Sequence, residues 1–512
     1  MKKTYFAIVA MLCMGLFSLQ AADWYPTNVV KVSPDPDGIP PSTTNGSLRD
    51  AVAATKAPAI YELERGGVYY VNGTCAFATD NVIVRAAAGT GNLPIVIPFT
   101  ISGSSNDVFS SGANVRFENI YIYGQEYGTS APTRRGIIRF TGGTMFEFEN
   151  CVLDGSSSAA IMRFENLNSS LATPFKLHVN KTTFRNAVDY ANISNARAID
   201  FRDSKGIGVK ITNSTFYSIS AQIIRQGNTQ TDSIIFNNNT VFGTGPAFGL
   251  GVAEKVVVKN NIFYNLVLNG SATPPGAQLT FDPFDFPRDI TVKNNLFFRN
   301  PEFDALIPKS TTRFLVSNVF NSTGYDMMNA TPAELVAADT LNYAVEFKNP
   351  PASLLPFYTY IWENNVNNTA IPANQQTFIR REAAGFPGDN LAAATAYSFS
   401  YPKTSPAATA GEGGTYLGAW APYDATGVQK VSAEEVINYF FDSSAKSLNI
   451  SFKSQTPVVK VSVFTATGVL ISNSLIGTNG QKAEISLTNL NRGAYLFTVE
   501  MDGKAASGKF IF

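Results

Sequence analysis

The sequence predicts an all-β chain, a parallel β-helix followed by a small C-terminal β-sandwich, and three observations predict it. The first is a recurring phrase. In residues 254–263, Glu-Lys-Val-Val-Val-Lys-Asn-Asn-Ile-Phe, the apolar Val256 and Val258 alternate with polar residues; an Asn pair interrupts, and Ile262 and Phe263 follow. Alternation with a period of two reads as strand. Asn tolerates the left-handed backbone region, so the interruption reads as a sharp bend. The phrase returns as Val-Lys-Ile-Thr-Asn-Ser-Thr-Phe at 209–216 and Ile-Thr-Val-Lys-Asn-Asn-Leu-Phe at 290–297, with shorter copies at 115–119 and 146–150. The second observation is its period. Taking the bend as a ruler gives Asn119, Asn150, Lys181, Asn213, Asn238, Asn260, Asn294 and Ser317, about 22 to 34 residues apart. Such repeats signal a solenoid or a propeller, and propeller blades need about 40–45 residues. The third is that the repeats carry no helical period. Each strand then pairs with its copies above and below, and the bend asparagines stack into a ladder. Which Asn of each pair turns the corner stays open.

Taken in order, residues 1–22 read as a secretory signal. Lys2 and Lys3 precede an apolar run from Tyr5 to Leu19, and Gln20, Ala21 and Ala22 close it. The run is short for a membrane span, and no small residue immediately precedes Cys13, so a lipoprotein signal is not expected. The mature chain is expected to begin near Ala22 or Asp23, outside the cytoplasm. The 39 basic and 39 acidic residues balance; they give no argument for a nucleic-acid partner and none is expected. No later apolar run is long enough to span a bilayer, and a monomer is expected. Beyond the signal only Cys75 and Cys151 remain, either bridged or as two core thiols. Residues 23–45 form an extended lead-in. Residues 46–55 read as a short amphipathic helix, with Ser47 as its cap and Asp50 three residues on, plugging the apolar end of the solenoid. Strands follow at 59–63, 67–71 and 81–85.

Between the bends runs a second strand family, at 138–140, 162–164, 199–201 and 224–225. Its apolar residues face inward, which turns Arg139, Arg163, Asp200 and Arg225 outward. At about 4.8 Å between stacked strands they form a polar stripe, with Asp203, Asp282 and Asp285 near its ends. Beyond residue 322 the repeat is lost. Residues 331–337 read as a capped helical turn and 357–362 as an aromatic strand. The β-helix domain is placed over 23–424, a linker over 425–446 and a separate module over 447–512. The module's phrases are Val461-Ser-Val-Phe464, a turn at Gly468, Ile485-Ser-Leu487 and Arg492-Gly-Ala-Tyr-Leu-Phe-Thr-Val499. Short alternating strands at this spacing suggest a sandwich.

Several phrases carry a resemblance. Gly46-Ser-Leu-Arg-Asp-Ala, Gly66-Gly-Val-Tyr-Tyr, Asn81-Val-Ile-Val-Arg-Ala and the Asn-Asn-x-Phe repeats resemble right-handed β-helix proteins of the pectate-lyase-like superfamily. More narrowly, they resemble secreted β-helix families of the Bacteroidetes phylum. Ser405-Pro-Ala-Ala-Thr-Ala-Gly411 with Gly413-Gly-Thr-Tyr-Leu-Gly-Ala-Trp420 resembles the closing segment of such helices. The resemblance covers roughly residues 40–422 and implies the fold, while activities within the superfamily differ. About the last 70 residues, with Gly493-x-Tyr495-x-x-x-Val499, resemble the type A sorting domain recognised by the type IX secretion system. That implies the secretion machinery as a partner, and a secreted or cell-surface protein reached through the periplasm.

The chemistry-bearing residues are few. His178 is the one histidine, outward by parity and aligned with Lys210. No Gly-x-Ser-x-Gly elbow accompanies it, so it reads as a surface histidine rather than a triad member. One His and two Cys do not suggest zinc. Acidic-sugar chemistry fits better. Eliminative cleavage of a uronate polymer needs the carboxylate neutralised, the adjacent proton removed and the leaving oxygen protonated. Substrate binding is placed on Arg139, Arg163, Asp200 and Arg225, and catalysis on Arg163, Arg225 and Arg313. Arg313 follows Arg299 of the preceding coil, in a placement that resembles the arginine-bearing coils of pectate lyases. Asp200 and Asp203 are the candidate Ca²⁺ ligands. The Val-Trp-x-Asp-His and Arg-x-Pro-x-x-Arg phrases of those lyases are absent. A glycosidase needs a carboxylate pair about 5–9.5 Å apart, for which Asp200 with Asp203, or Asp282 with Asp285, are nominal choices.

Adjacent Arg139 and Arg163 repel unless an anion bridges them, and guanidinium forks match carboxylates. The expectation is an exported β-helix that binds an acidic, uronate-containing polysaccharide and is a candidate lyase. The alternatives are a non-catalytic glycan-binding protein and an adhesive or structural solenoid. In the plainer reading the stripe's charges are solvated and paired along the stack.

Overall fold

The computed structural model describes residues 24–302, 340–351, 397–424 and 429–511, less 37–39, 42–43, 56, 79, 101–106, 128–135, 157–158, 166–170, 188, 190–194, 228, 246–247, 251–252, 267–278, 282–288, 431–436, 443–444, 453–457, 466–468, 479–480, 489, 492 and 502–503. The chain divides into two compact units, Met1–Tyr423 and Asp424–Phe512.

The first unit is a parallel β-helix. One coil shows the path: Val115–Glu118 lies in the first sheet, Asn119 bends the chain, Tyr121–Tyr123 joins the second sheet, Gly136–Phe140 joins the third, and Met145–Glu149 returns to the first. The first sheet has ten strands, from Val29–Val32 to Asp289–Lys293. The second also has ten, from Val68–Asn72 to Thr340–Leu341, and the third has eight, from Cys75–Phe77 to Leu279–Phe281. Pairing is in register from coil to coil, Ile234 beside Val256 beside Ile290. Side chains at one offset from the bend therefore stack into a single core. Val115, Phe117, Phe146, Phe148, Val209, Ile211, Val256, Val258 and Val292 are buried in it, and Ile290 packs against it. Aromatic rings pile along the axis, Phe184 on Phe216 at 4.7 Å and Phe263 on Phe297 at 4.8 Å.

The bends have a common geometry. Asn119, Asn150, Lys181, Asn213, Asn238, Asn260 and Asn294 all hold φ between 49 and 58°; Ser317 lies outside the described residues. The first Asn of each pair turns the corner. The second points inward: Asn239, Asn261 and Asn295 are fully buried. Each Oδ1 accepts from the preceding coil's backbone, Asn239 from the Ser214 amide at 2.8 Å, Asn261 from Asn239 at 2.8 Å and Asn295 from Asn261 at 3.0 Å. A tight corner strips backbone donors of strand partners, and these amides satisfy them.

The capping of the first helix corrects an expectation. The helix Ser47–Ala54 begins as expected, with Leu48 buried at the end of the core, but Gly46 is its cap and no side chain caps it from that position. Asp35 of the lead-in does the capping. Its Oδ1 accepts from the Ser47 amide at 2.9 Å and its Oδ2 from the Tyr70 amide at 2.6 Å. Gly46 sits at φ 90°, with the Tyr70 carbonyl 1.8 Å from where a Cβ would stand, so the chain can enter the helix there only as glycine. The closing segment comprises residues 405–420. It lies lengthwise on the outer face of the second sheet, tied by Asn294 Nδ2 to the Ala410 carbonyl, Gly418 N to the Asn260 carbonyl, Ala419 N to Thr240 Oγ1 and Trp420 Nε1 to Thr215 Oγ1. The stretches 331–337 and 357–362 lie outside the described residues.

The second unit is a β-sandwich. One sheet holds Gln429–Lys430, Lys504–Ile511, Ala494–Met501, Val458–Thr465 and Leu470–Gly477; the other holds Ile437–Asp442, Ser447–Phe452 and Lys482–Ser486. Leu448, Ile450, Val461, Val463, Phe497 and Val499 form its core. Two of these strands fall within 425–446, so that stretch belongs to the module and is not a linker.

Cys75 and Cys151 are free and buried, and burial pushes both thiols from the ordinary 9.0 up to about 12. Because the folded value is raised, their contribution to stability is full below about 9 and is lost as pH rises towards about 12. A maleimide at mildly alkaline pH is expected to label neither thiol in the folded protein and both in denaturant. Labelling of the native chain would show that the coil ends open locally.

Candidate functional site

The stripe exists as a register. Ser110, Arg139, Arg163, Asp200 and Arg225 stand side by side on successive strands of the third sheet. Its environment differs from the expectation, because the protein supplies the anions itself. Asp107 lies between the two stacked arginines, its Oδ2 3.5 Å from Arg139 Nε and its Oδ1 on Arg163 Nη2. Arg163 also bonds Glu165, which pairs with Arg202 at 2.8 Å. Arg163 is 1% exposed, so its guanidinium is spent on two carboxylates. Asp200 is buried between Arg225, at 3.3 Å, and Arg197, at 3.9 Å. Burial lowers the Arg197 pKa, against the pull of Asp200 and helped by Arg225 and Arg202. Facing outward in a solenoid is therefore not the same as facing water. Arg139 and Arg225 keep partly exposed guanidiniums.

The set does not fit Ca²⁺. Two guanidiniums already neutralise Asp200, Asp203 is exposed beside it, and the ion asks for 6–8 oxygens. Among the described residues no three His, Cys, Asp or Glu side chains gather as a metal site. Arg313, Asp282 and Asp285 lie outside the described residues. The Arg299 guanidinium bonds the Leu266 carbonyl. His178 stands between Glu147 and Lys210 in the first sheet, partly exposed, with Nδ1 3.8 Å from Glu147 Oε1. Burial lowers its pKa, against Glu147 and with Lys210 and Lys176.

The second sheet carries a more developed site. Its outward row runs Tyr123, Asp154, Arg185, Tyr217, Phe242, Tyr264, Phe298. The aromatic end of this row is covered by Val345, Phe347, Phe399, Tyr401 and Leu417. Among the described residues the cover reaches Trp420 and Tyr397, and beside them lies a cleft of about 350 Å³. One side is the bend corner of Asn150, Lys181 and Asn213. The floor is Val152, Thr183, Arg185, Thr215 and Tyr217. The far wall is Tyr397, Phe399, Ala419 and Trp420.

Arg185, 2% exposed, is fixed by a buried network. Its Nε and Nη2 reach Asp154 Oδ2 at 2.8 and 2.7 Å, Nη1 donates to the Tyr217 hydroxyl at 2.6 Å, and Nη2 donates to the Tyr121 hydroxyl at 2.7 Å. Tyr121 donates in turn to Asp154, whose other oxygen accepts from Asn186 at 2.8 Å. Burial, with Asp154 and Tyr123, raises the Tyr121 pKa well above the usual phenol value despite Arg185. The cleft thus has a rigid, charge-paired floor, an aromatic wall and an amide-rich rim. The sequence reading missed it. Its signal was the adjacent aromatic pairs Phe216-Tyr217, Phe263-Tyr264 and Phe297-Phe298. In a strand one member of each pair must face out, so a large apolar row outside the core demands a cover.

Residues 444–512 match the model of the secretion system C-terminal sorting domain. The last module is a type IX secretion sorting domain. The protein it tags is secreted or held at the cell surface, and the secretion machinery is a partner. No helix among the described residues is long and apolar enough to cross a membrane. No curated protein matches the chain. Among solved structures it is similar to the tailspike protein gp49 of Acinetobacter baumannii bacteriophage Fri1, a capsular polysaccharide depolymerase. That likeness has 9% identity and a TM-score of 0.21, covering 95% of this chain and 80% of that chain.

Proposed function

We propose that this exported β-helix binds an acidic, uronate-containing polysaccharide in the cleft of the second sheet. The observation that carries the reading is the composition of that cleft. Half-buried Trp420 and Tyr397 form one wall, where aromatic faces suit the apolar faces of sugar rings. Opposite them the rim offers amide donors and the Lys181 ammonium, above a floor in which Asp154 and two phenols hold Arg185. Concave sites with apolar walls and a few convergent polar groups are the usual ligand sites of proteins. Among the described residues the lining holds no carboxylate, which supports recognition of an anion.

The test is incubation of the full chain with a panel of uronate polymers. Binding is read by affinity electrophoresis, and eliminative cleavage by the ultraviolet absorbance of the unsaturated product. Trp420→Ala is expected to weaken binding about tenfold or more, as loss of a central aromatic contact does. Arg139→Ala is the companion arm: if it alone weakens binding, the polymer lies on the third sheet and the cleft reading is lost. Appearance of unsaturated product makes the protein the candidate lyase; binding without product makes it a glycan-binding protein.

A further inference from the structure

From Asn119 onward, the described corners between the first and second sheets follow one rule with one departure. Of the described bend residues, Asn119, Asn150, Asn213, Asn238, Asn260 and Asn294 are asparagine, and Lys181 alone is not. Lys181 holds φ 49°. That left-handed region suits Asn, whose short polar side chain bonds locally, and disfavours a long aliphatic stem. The backbone gives no reason for the exchange. The Lys181 amide donates to the Thr212 carbonyl at 3.2 Å, as the Asn150 amide does to Asn180 at 3.0 Å and the Asn213 amide to Asn237 at 3.2 Å. Nor does an ion pair explain it: Lys181 is exposed, and no carboxylate pairs with it among the described residues. The nearest candidate by register, Glu149, is engaged by Asn180 Nδ2 at 3.0 Å. What sets this corner apart is its position, since Lys181 is the corner residue flanked by Asn150 and Asn213 on the rim of the cleft.

We infer that Lys181 is the specificity-determining residue of the cleft, and that its ammonium reads an anionic substituent, a carboxylate or a sulfate, on a sugar ring held against Trp420 and Tyr397. The inference rests on the proposed role of the cleft and adds the group that selects the ligand. An ammonium on a flexible stem follows an anion as a point charge without demanding one planar geometry. At the rim it is wet enough to exchange ligands, and salt screens it.

The departure supplies its own test, because Lys181→Asn restores the residue that the neighbouring coils use. The variant is expected to keep the circular dichroism spectrum and to unfold in urea at the wild-type midpoint or above it. Its affinity for polygalacturonate should fall about tenfold, with the deficit shrinking at high salt. Lys181→Arg should stay within about threefold of wild type, since the charge is kept. Carboxyl-reduced polygalacturonate and a sulfated, uronate-free galactan separate the two anions. Loss of binding to the reduced polymer assigns a carboxylate, and tight binding of the galactan assigns a sulfate. Unchanged polygalacturonate affinity in Lys181→Asn, with Trp420→Ala still weakened, overturns the inference and leaves the cleft reading standing. If wild type binds no acidic polymer, the cleft reading fails and takes the inference with it.

Discussion

A chain ending at Tyr423 is expected to fold and to stay in the periplasm, with none of it reaching the surface or the medium. The expectation is all-or-none because the two units divide the labour. The solenoid core and the sandwich core are separate sets of side chains, and contacts divide the chain between Tyr423 and Asp424. The cut position matters. Gln429–Lys430 pairs with Lys504 and Ala505, and Ile437–Asp442 pairs along the whole of Ser447–Phe452. A cut at 446, before the part read from sequence as the module, leaves those strands on the passenger as unpaired edges, an invitation to aggregate. Fractionation of cells expressing the chain to Tyr423 checks the result, and β-rich circular dichroism of the periplasmic material checks the fold. Its appearance in the medium would mean that the solenoid carries its own export signal. Fusion of residues 424–512 to an unrelated periplasmic passenger gives the reciprocal result, export of the passenger.

How much of this was legible in the sequence depends on which neighbour each residue answers to. The bends were readable because a left-handed corner is a local demand, met by one residue at a time. The ruler Asn119, Asn150, Lys181, Asn213, Asn238, Asn260, Asn294 falls on the positive-φ positions. The inward offsets were readable for the same reason, since Val256 and Val258 repeat the choice made at Val209 and Ile211. The stripe was half readable. Register put Arg139 beside Arg163, but Asp107, which lies between them, sits two strands from Arg163 and on no motif. Burial of an outward face depends on what covers it, and that is set by segments remote in sequence. The cleft was the least legible part. Trp420 meets Thr215 across some 200 residues, and no periodicity encodes such a contact. Lys181 was in plain view as a bend that is not asparagine; its meaning waited for the wall opposite.

The buried pair beneath the cleft carries the other large effect. Asp154→Ala is expected to destabilise the first unit by about 3–5 kcal/mol, the usual consequence of stranding one charge of a buried pair. Arg185 would keep its two phenolic partners, Tyr121 and Tyr217, but neither carries the negative charge that offsets its desolvation. Tyr121 and Asn186 would each lose an acceptor as well. The double variant Asp154→Leu, Arg185→Met removes both charges, and apolar replacements of buried pairs are often neutral; its urea midpoint should return most of the way to wild type. Polymer binding should not return with it, because the guanidinium that fixes Tyr217 in the floor of the cleft is gone. Recovery of stability without recovery of affinity separates the two jobs of Arg185, holding the coils at Asp154 and fixing the Tyr217 hydroxyl in the floor of the cleft. A loss below about 1 kcal/mol in Asp154→Ala would mean that Arg185 swings into the cleft and finds water there, and the floor described above would be a mobile arm rather than a fixed surface.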